Sequence, residues 1–343
     1  MNFVYRFFKY VAGILFFLAI ISVGVNHIIN QDAVIPPHID LQKTEISLAA
    51  PVHSFPFEQT TITVTSQVDA SAYNGAKSAD KETRITGNVS DDIWLQKTYL
   101  AMINDPNQEQ FYNDLIHNLR SNRVQHQLSD DEYLELITVF IQSIPYETKS
   151  DSPPKFPIET YVDKSGDCDD KSLLLAGLLS REGYNVSLLS FTPESHMAVG
   201  VVCPGGEYKQ TGYTFVETTN LSFAGIPTDT LIEGVPLDSD PRVIRVGNGT
   251  KIFGSCGEAL YLNSVLKSSE KNVSDITAQI DSLKIEMTGY YTKRDAENYN
   301  LRVPLFNDLQ RKRLLYAELH NYIFNHQYDR KGTYQYVKNT ISG

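Results

Sequence analysis

Apolar positions change their spacing several times along the chain, and each change marks an expected element. Residues 11–25 carry no charge, and with Phe7, Phe8 and Tyr10 the apolar stretch approaches the ~20 residues that span a bilayer. Residues 60–68 alternate with β-branched side chains and predict a strand. Residues 66–84 are rich in Ser, Ala, Asp, Lys and Gly without an apolar period, which predicts a linker or mobile loop. From Asp91 the spacing becomes helical, with Phe111, Leu115 and Leu119 on one face. Ser129 and Glu132 form a capping-box pair ahead of Tyr133, Leu136, Ile137, Phe140 and Ile141, and Pro145 ends that helix. Residues 146–164 look like a loop. A third helix is expected over 168–182, where Leu173, Leu174, Leu175, Leu178 and Leu179 cover a broad arc, so it should be central and buried. Gly183 suits its C-terminal cap. Three β-like runs follow, at 186–191, 197–203 and 213–218. Further on, Val273, Ile276, Ile280, Leu283 and Met287 make a heptad-like seam, and Leu305, Leu309, Leu315, Leu319 and Tyr322 a second stripe. A helical hairpin packed on the core and an oligomerising coiled coil both fit these stripes. A helix followed by consecutive strands predicts an α+β class with an antiparallel sheet. The expected organisation is a membrane anchor at 1–30, a partly β segment and linker at 31–90, a core at 91–245 and a helical extension at 246–343.

Charge and cysteine usage narrow the setting. Arg6 and Lys9 precede the apolar stretch, and no Lys or Arg follows until Lys43, which puts the N-terminus in the cytoplasm and the rest outside. The expected location is a single-pass anchor in the cell membrane with an extracytoplasmic body; secretion after signal cleavage at Ser22-Val23-Gly24 is the alternative. A net charge of -11 argues against a nucleic-acid partner, which needs a basic face. The three cysteines are Cys168, Cys203 and Cys256. If Cys168 is a nucleophile, Cys203 and Cys256 are the candidate disulfide pair in an oxidising compartment.

Cys168 is the first residue of the expected central helix, where backbone N–H groups favour a thiolate. Asp167, Asp169 and Asp170 oppose this, because neighbouring negative charge raises a thiol pKa. An imidazole must then supply much of the activation. His196, at the mouth of one expected strand, is the candidate, and Glu217 on the next strand would hold its tautomer. The backbone N–H of Cys168 is the safer oxyanion donor. The chain contains no Walker loop, no zinc-type Cys/His spacing and no Gly-x-Ser-x-Gly.

The stretch from about 131 to 227 resembles the core of the transglutaminase-like superfamily, in its membrane-anchored archaeal and bacterial branch. The matching runs are Phe140-Ile141-Gln142-Ser143-Ile144-Pro145-Tyr146, Phe156-Pro157-Ile158-Glu159-Thr160, Gly166-Asp167-Cys168-Asp169-Asp170-Lys171-Ser172, His196-Met197-Ala198-Val199-Gly200-Val201 and Glu217-Thr218-Thr219. The resemblance covers under a third of the chain. It implies a papain-like fold and a Cys168–His196–Glu217 triad that acts on protein or peptide amides through a thioester. Proteolysis, amide hydrolysis and glutamine-directed acyl transfer (protein cross-linking) all occur in the family. The acid is commonly Asp there, and Glu217 departs from that pattern. Gln142 is expected to lend an oxyanion donor, and Tyr146 and Glu159 to brace the site. No cofactor is required. Similar acidic positions bind calcium in periplasmic members, which would put Ca²⁺ at Asp167 and Asp169. A non-catalytic binding or scaffold module on the same fold is the rival expectation, and oligomerisation through the C-terminal helices is a third.

Overall fold

The computed structural model describes residues 32–45, 47–148, 152–232 and 234–342. The expected anchor at 1–30 lies outside them. Among the described residues no helix is long and apolar enough to cross a membrane. The class is α+β.

Among the described residues the first strand, β1 (Ala33–Ile35), pairs with β4 (Arg84–Thr86). Between them lies an antiparallel hairpin of β2 (Val52–Phe57) and β3 (Thr60–Thr65). Strict alternation turns His53, Phe55 and Phe57 of β2 inward, opposite Ile62 and Val64 of β3. Residues 66–84 are not a linker. They contain helix α1 (Ala70–Ser78), whose N-cap Asp69 accepts from Ser71 N. Its buried face is made of Ala70, Ala72, Gly75 and Ala76. A Cβ on Gly75 would come within 2.3 Å of the Asp40 carbonyl oxygen, so the small-residue composition permits close packing of two backbones.

Four helices then lead to the centre: α2 (Asp91–Ile103), α3 (Glu109–Gln125), α4 (Asp130–Gln142) and α5 (Pro157–Asp163). Helix α4 carries the expected capping box, with Glu132 N donating to Ser129 Oγ and Ser129 N donating to Glu132. Helix α5 replaces part of the expected loop. Pro157 opens it, and the Glu159 carboxylate accepts from Phe156 N and pairs with Lys81 at 2.8 Å. Glu159 therefore braces the start of α5.

Helix α6 (Cys168–Arg181) is the central element, with every residue from Asp170 to Leu179 buried. It packs on β5 (Val186–Phe191) and β6 (His196–Val201), while α2, α4 and α5 cover its other sides. With β7 (Thr214–Val216) and β8 (Arg242–Arg245) these strands form an antiparallel sheet in the order β7-β6-β5-β8. One apolar core joins Phe55 and Val64 of the hairpin, Ala76 of α1, Leu174 of α6 and Val199 of β6. Residues 31–90 thus share their core with 91–245.

The C-terminal stripes form a hairpin of α7 (Cys256–Thr292) and α8 (Ala296–Asn325), followed by α9 (Arg330–Ser342). The base packs through Ala259, Leu262, Leu319, Ile323 and Val337 with Phe223. The far part packs on itself through Ile276, Ile280, Leu283, Met287 and Leu309. Leu305 and Leu315 of the expected stripe face solvent. Two features fasten the base. Arg330, buried at the start of α9, pairs with Glu135 of α4 and with Glu258 of α7. Burial pushes the Glu135 carboxyl up to about 7, against the pull of Arg330. A Cys203–Cys256 disulfide joins the segment after β6 to the first residue of α7, with the Cα atoms 6.4 Å apart.

The two half-cystines are 53 residues apart. Closing a loop of that length in the unfolded chain stabilises by about 4 kcal/mol in the chain-entropy description. The Cys203→Ala/Cys256→Ala variant should lose about 2–4 kcal/mol of unfolding free energy in urea titration followed by circular dichroism. An unchanged midpoint would contradict the bond.

Candidate functional site

The first turn of α6 is held by its own carboxylates. Asp167 is the N-cap: its side chain accepts from Asp170 N at 3.1 Å, and Asp170 Oδ2 accepts from Asp167 N at 3.3 Å. Asp170 Oδ1 also accepts from Lys155 N at 2.6 Å. Burial, then the neighbouring Asp167, pushes the Asp170 carboxyl up to about 7. Gly166 fits only as glycine, because a Cβ there would lie 2.7 Å from Asp170 Cβ. The pairing of Tyr146 with Gly166, through Glu147 N to Gly166 O and Gly166 N to Pro145 O, brings Tyr146 alongside.

Helix α6 is bolted to the two strands that carry the other expected site residues. Ser172 lies one helical turn after Cys168, on the same face. Its hydroxyl donates to Met197 O at 3.1 Å and meets Thr218 Oγ1 at 3.1 Å. Met197 follows His196, and Thr218 follows Glu217. One small buried side chain thus sets the separation of three positions. Sequence reasoning missed Ser172; a hydroxyl one turn after the cysteine in an otherwise leucine-rich helix was the available signal.

His196 and Glu217 come together. Strand β6 pairs with β7 in a register that matches Val199 to Val216, so Glu217 follows the paired region beside the start of β6. His196 Nε2 lies 3.4 Å from Glu217 Oε2, with both side chains about 95% buried. The other carboxylate oxygen is fixed: Oε1 accepts from Thr218 N at 2.9 Å, Thr219 N at 2.8 Å and Thr219 Oγ1 at 2.7 Å. Burial pushes the Glu217 carboxyl up, but the His196 imidazole and the Thr219 donors outweigh it and hold it below its ordinary value of 4.5. With Nε2 turned to Glu217, Nδ1 is the nitrogen left to serve a nucleophile. Glu therefore fills the acidic position because its length reaches the ring while its second oxygen stays on the backbone.

Gln142, expected as an oxyanion donor, does other work. Its Nε2 donates to Glu217 O at 2.8 Å and to Ser222 O at 3.0 Å, and its Oε1 accepts from Ser222 N at 3.4 Å. Both amide hydrogens are occupied, so Gln142 positions the Glu217 segment. Behind it, fully buried Lys171 donates to Gln142 O at 3.3 Å, the last carbonyl of α4, and to Ile144 O at 2.7 Å just past it. Burial lowers the Lys171 ammonium to about 8, while Glu217 pulls it upward.

Cys168 is buried, and its Sγ sits 3.5 Å from Asp169 Oδ1 and 3.8 Å from Ser195 O. Burial, then Asp169 and Asp167, pushes the thiol well above its ordinary value; the Met197 N–H pulls the other way. Ser195, at φ 50°, occupies the left-handed region in the turn before β6, which aims its carbonyl at the sulfur. Cys168 and His196 open on one cleft of about 430 Å³, lined also by Tyr146, Thr148, Thr219 and Leu231. Among the described residues no group of three or more His, Cys, Asp or Glu is placed to hold a metal ion. The Asp167 carboxylate, one of the two expected for Ca²⁺, caps α6, and that of Asp169 faces the thiol.

A carboxyl held below its unfolded value contributes stability that is complete above 4.5 and is lost as pH falls through the folded value. Urea unfolding of wild type and Glu217→Gln should therefore show a stability difference that narrows steadily at acid pH. A difference independent of pH would contradict the His196–Glu217 pairing. No protein-family model, no curated protein and no solved structure matches the chain.

Proposed function

We propose that the protein is a transglutaminase-like cysteine hydrolase acting on protein or peptide amide bonds. One observation carries the reading: Cys168 and His196 line one cleft, and Glu217, clamped by Thr218 and Thr219, faces the far nitrogen of His196. A helix N-terminus, an imidazole and an orienting carboxylate are what a cysteine nucleophile needs.

In this reading His196 Nδ1 takes the Cys168 proton, leaving thiolate and imidazolium, and Glu217 stabilises the imidazolium. The sulfur attacks the amide carbon. The oxyanion forms toward the Cys168 N–H at the start of α6. The imidazolium returns its proton to the leaving nitrogen, the C–N bond breaks, and an amine departs. The thioester on Cys168 is then resolved by water, giving an acid, or by an amine, giving a new amide; His196 removes the acceptor's proton and the thiol is restored.

In this reading the chemistry takes place outside the membrane, with residues 1–30 as the anchor, and the Cys203–Cys256 disulfide supports an oxidising compartment. A binding module on the same core is the second reading, and the acidic, desolvated surroundings of Cys168 favour it. The projecting part of the α7–α8 hairpin, with Ile285, Leu301 and Leu305 exposed, supports a role in partner binding or oligomerisation.

Turnover of casein and of amide-labelled peptides separates the first two readings. Wild type should act, and Cys168→Ala should lose activity by a factor of about 10³ or more. Equal turnover by the two proteins would remove the catalytic assignment.

A further inference from the structure

Three carboxylates flank Cys168 in sequence, and two of them have structural tasks. Asp167 caps α6, and Asp170 completes the reciprocal cap and holds Lys155 N. Asp169 has neither task. Among the described residues the only donor to its carboxylate is the Cys168 thiol, at 3.5 Å, and no ion pair reaches it. A half-buried carboxylate without a strong donor costs stability. Its position next to the sulfur gives that cost a use.

We propose that Asp169 is a brake on Cys168: its carboxylate holds the thiol proton by a hydrogen bond and withholds it from His196. The inference rests on Cys168 being the nucleophile of the proposed hydrolase. Asp169 Oδ1 and Ser195 O beside the sulfur are acceptors and prefer the thiol to the thiolate, while the Met197 N–H favours the thiolate and is outweighed. Attack requires the proton to pass from Sγ to the imidazole, leaving thiolate and imidazolium. While Asp169 is charged, that transfer removes its hydrogen bond and places two negative groups in contact.

The surroundings leave Asp169 without a cation to relieve it. On α6 its neighbour is Asp167. Across a second cleft of about 390 Å³ it faces Asp91, Trp94 and Tyr99 of α2, Phe191 of β5, His196 of β6 and Arg242 of β8. Arg242 is turned to Asp92 at 3.1 Å and Asp91 at 3.8 Å. His196 is therefore the group that relieves Asp169 once it takes the proton. Burial, then Asp167, pushes the Asp169 carboxyl up to about 6, so mild acid also releases the brake.

The test follows alkylation of Cys168 by iodoacetamide across neutral and mildly acid pH, read by mass spectrometry of its peptide. Asp169→Asn keeps the shape and removes the charge. It should alkylate about tenfold faster near neutral pH, with the midpoint of its pH profile about one unit lower, since tenfold corresponds to one pKa unit. Asp169→Glu keeps the charge and should stay near the wild-type rate, and circular dichroism verifies that both variants fold. An Asp169→Asn protein that alkylates at the wild-type rate or slower overturns the brake. Peptide-amide turnover measured in parallel distinguishes this from the hydrolase reading. Faster alkylation without turnover in any variant leaves the brake and sinks the hydrolase. Turnover without faster alkylation does the reverse.

Discussion

The site depends on how the start of helix α6 is held. A buried helix must have its first N–H groups satisfied. Here the satisfying groups are carboxylates beside the thiol, Asp167 and Asp170. The same arrangement that fixes the helix raises the energy of a thiolate at its first residue. Ser172 then ties the helix to Met197 and Thr218, so the start of α6 is joined by hydrogen bonds to the segments carrying His196 and Glu217. Precision is obtained from polar contacts in a core that is otherwise apolar, and each contact depends on full burial to stay strong.

A second chain of contacts holds the acid. Lys171 takes carbonyls at the end of α4, the Gln142 side chain takes Glu217 O and Ser222 O, and the backbone after β7 folds its N–H groups onto Glu217 Oε1. Glu217 is thus immobilised by three donors on one oxygen while the other faces His196. The length of the Glu217 side chain lets it hold the backbone clamp and the imidazole together.

Periodicity exposed the long elements and hid the short or irregular ones. Helix α4, with its Ser129–Glu132 box, and leucine-rich α6 were readable because apolar spacing and caps agreed. Strand β2 was missed because Pro56 interrupts it; it sits on a two-stranded hairpin, where a missing N–H is tolerated. Helix α1 was missed because its buried face is alanine and glycine, whose worth lies in close approach and not in apolar bulk. At the site, Cys168, His196 and Glu217 were readable only as residue types in order; the His196–Glu217 pairing is a matter of strand register, and the shared cleft of Cys168 and His196 is a matter of how Ser172 ties α6 to the sheet. The role of Gln142 was misjudged because sequence shows an amide and not what occupies it. The Cys203–Cys256 bond followed from elimination, and its meaning, a tie between the sheet and the helical hairpin, came only from the fold.

In the proposed reaction Cys168 forms a covalent intermediate that His196 makes possible. The direct measurement is acid-quenched mass spectrometry of the protein during turnover of a peptide amide or activated ester. An acyl group is expected on the Cys168 peptide of the wild type, strongly reduced in His196→Ala and absent from Cys168→Ala. Turnover with no acyl group on Cys168, or an equal yield in His196→Ala, would contradict it.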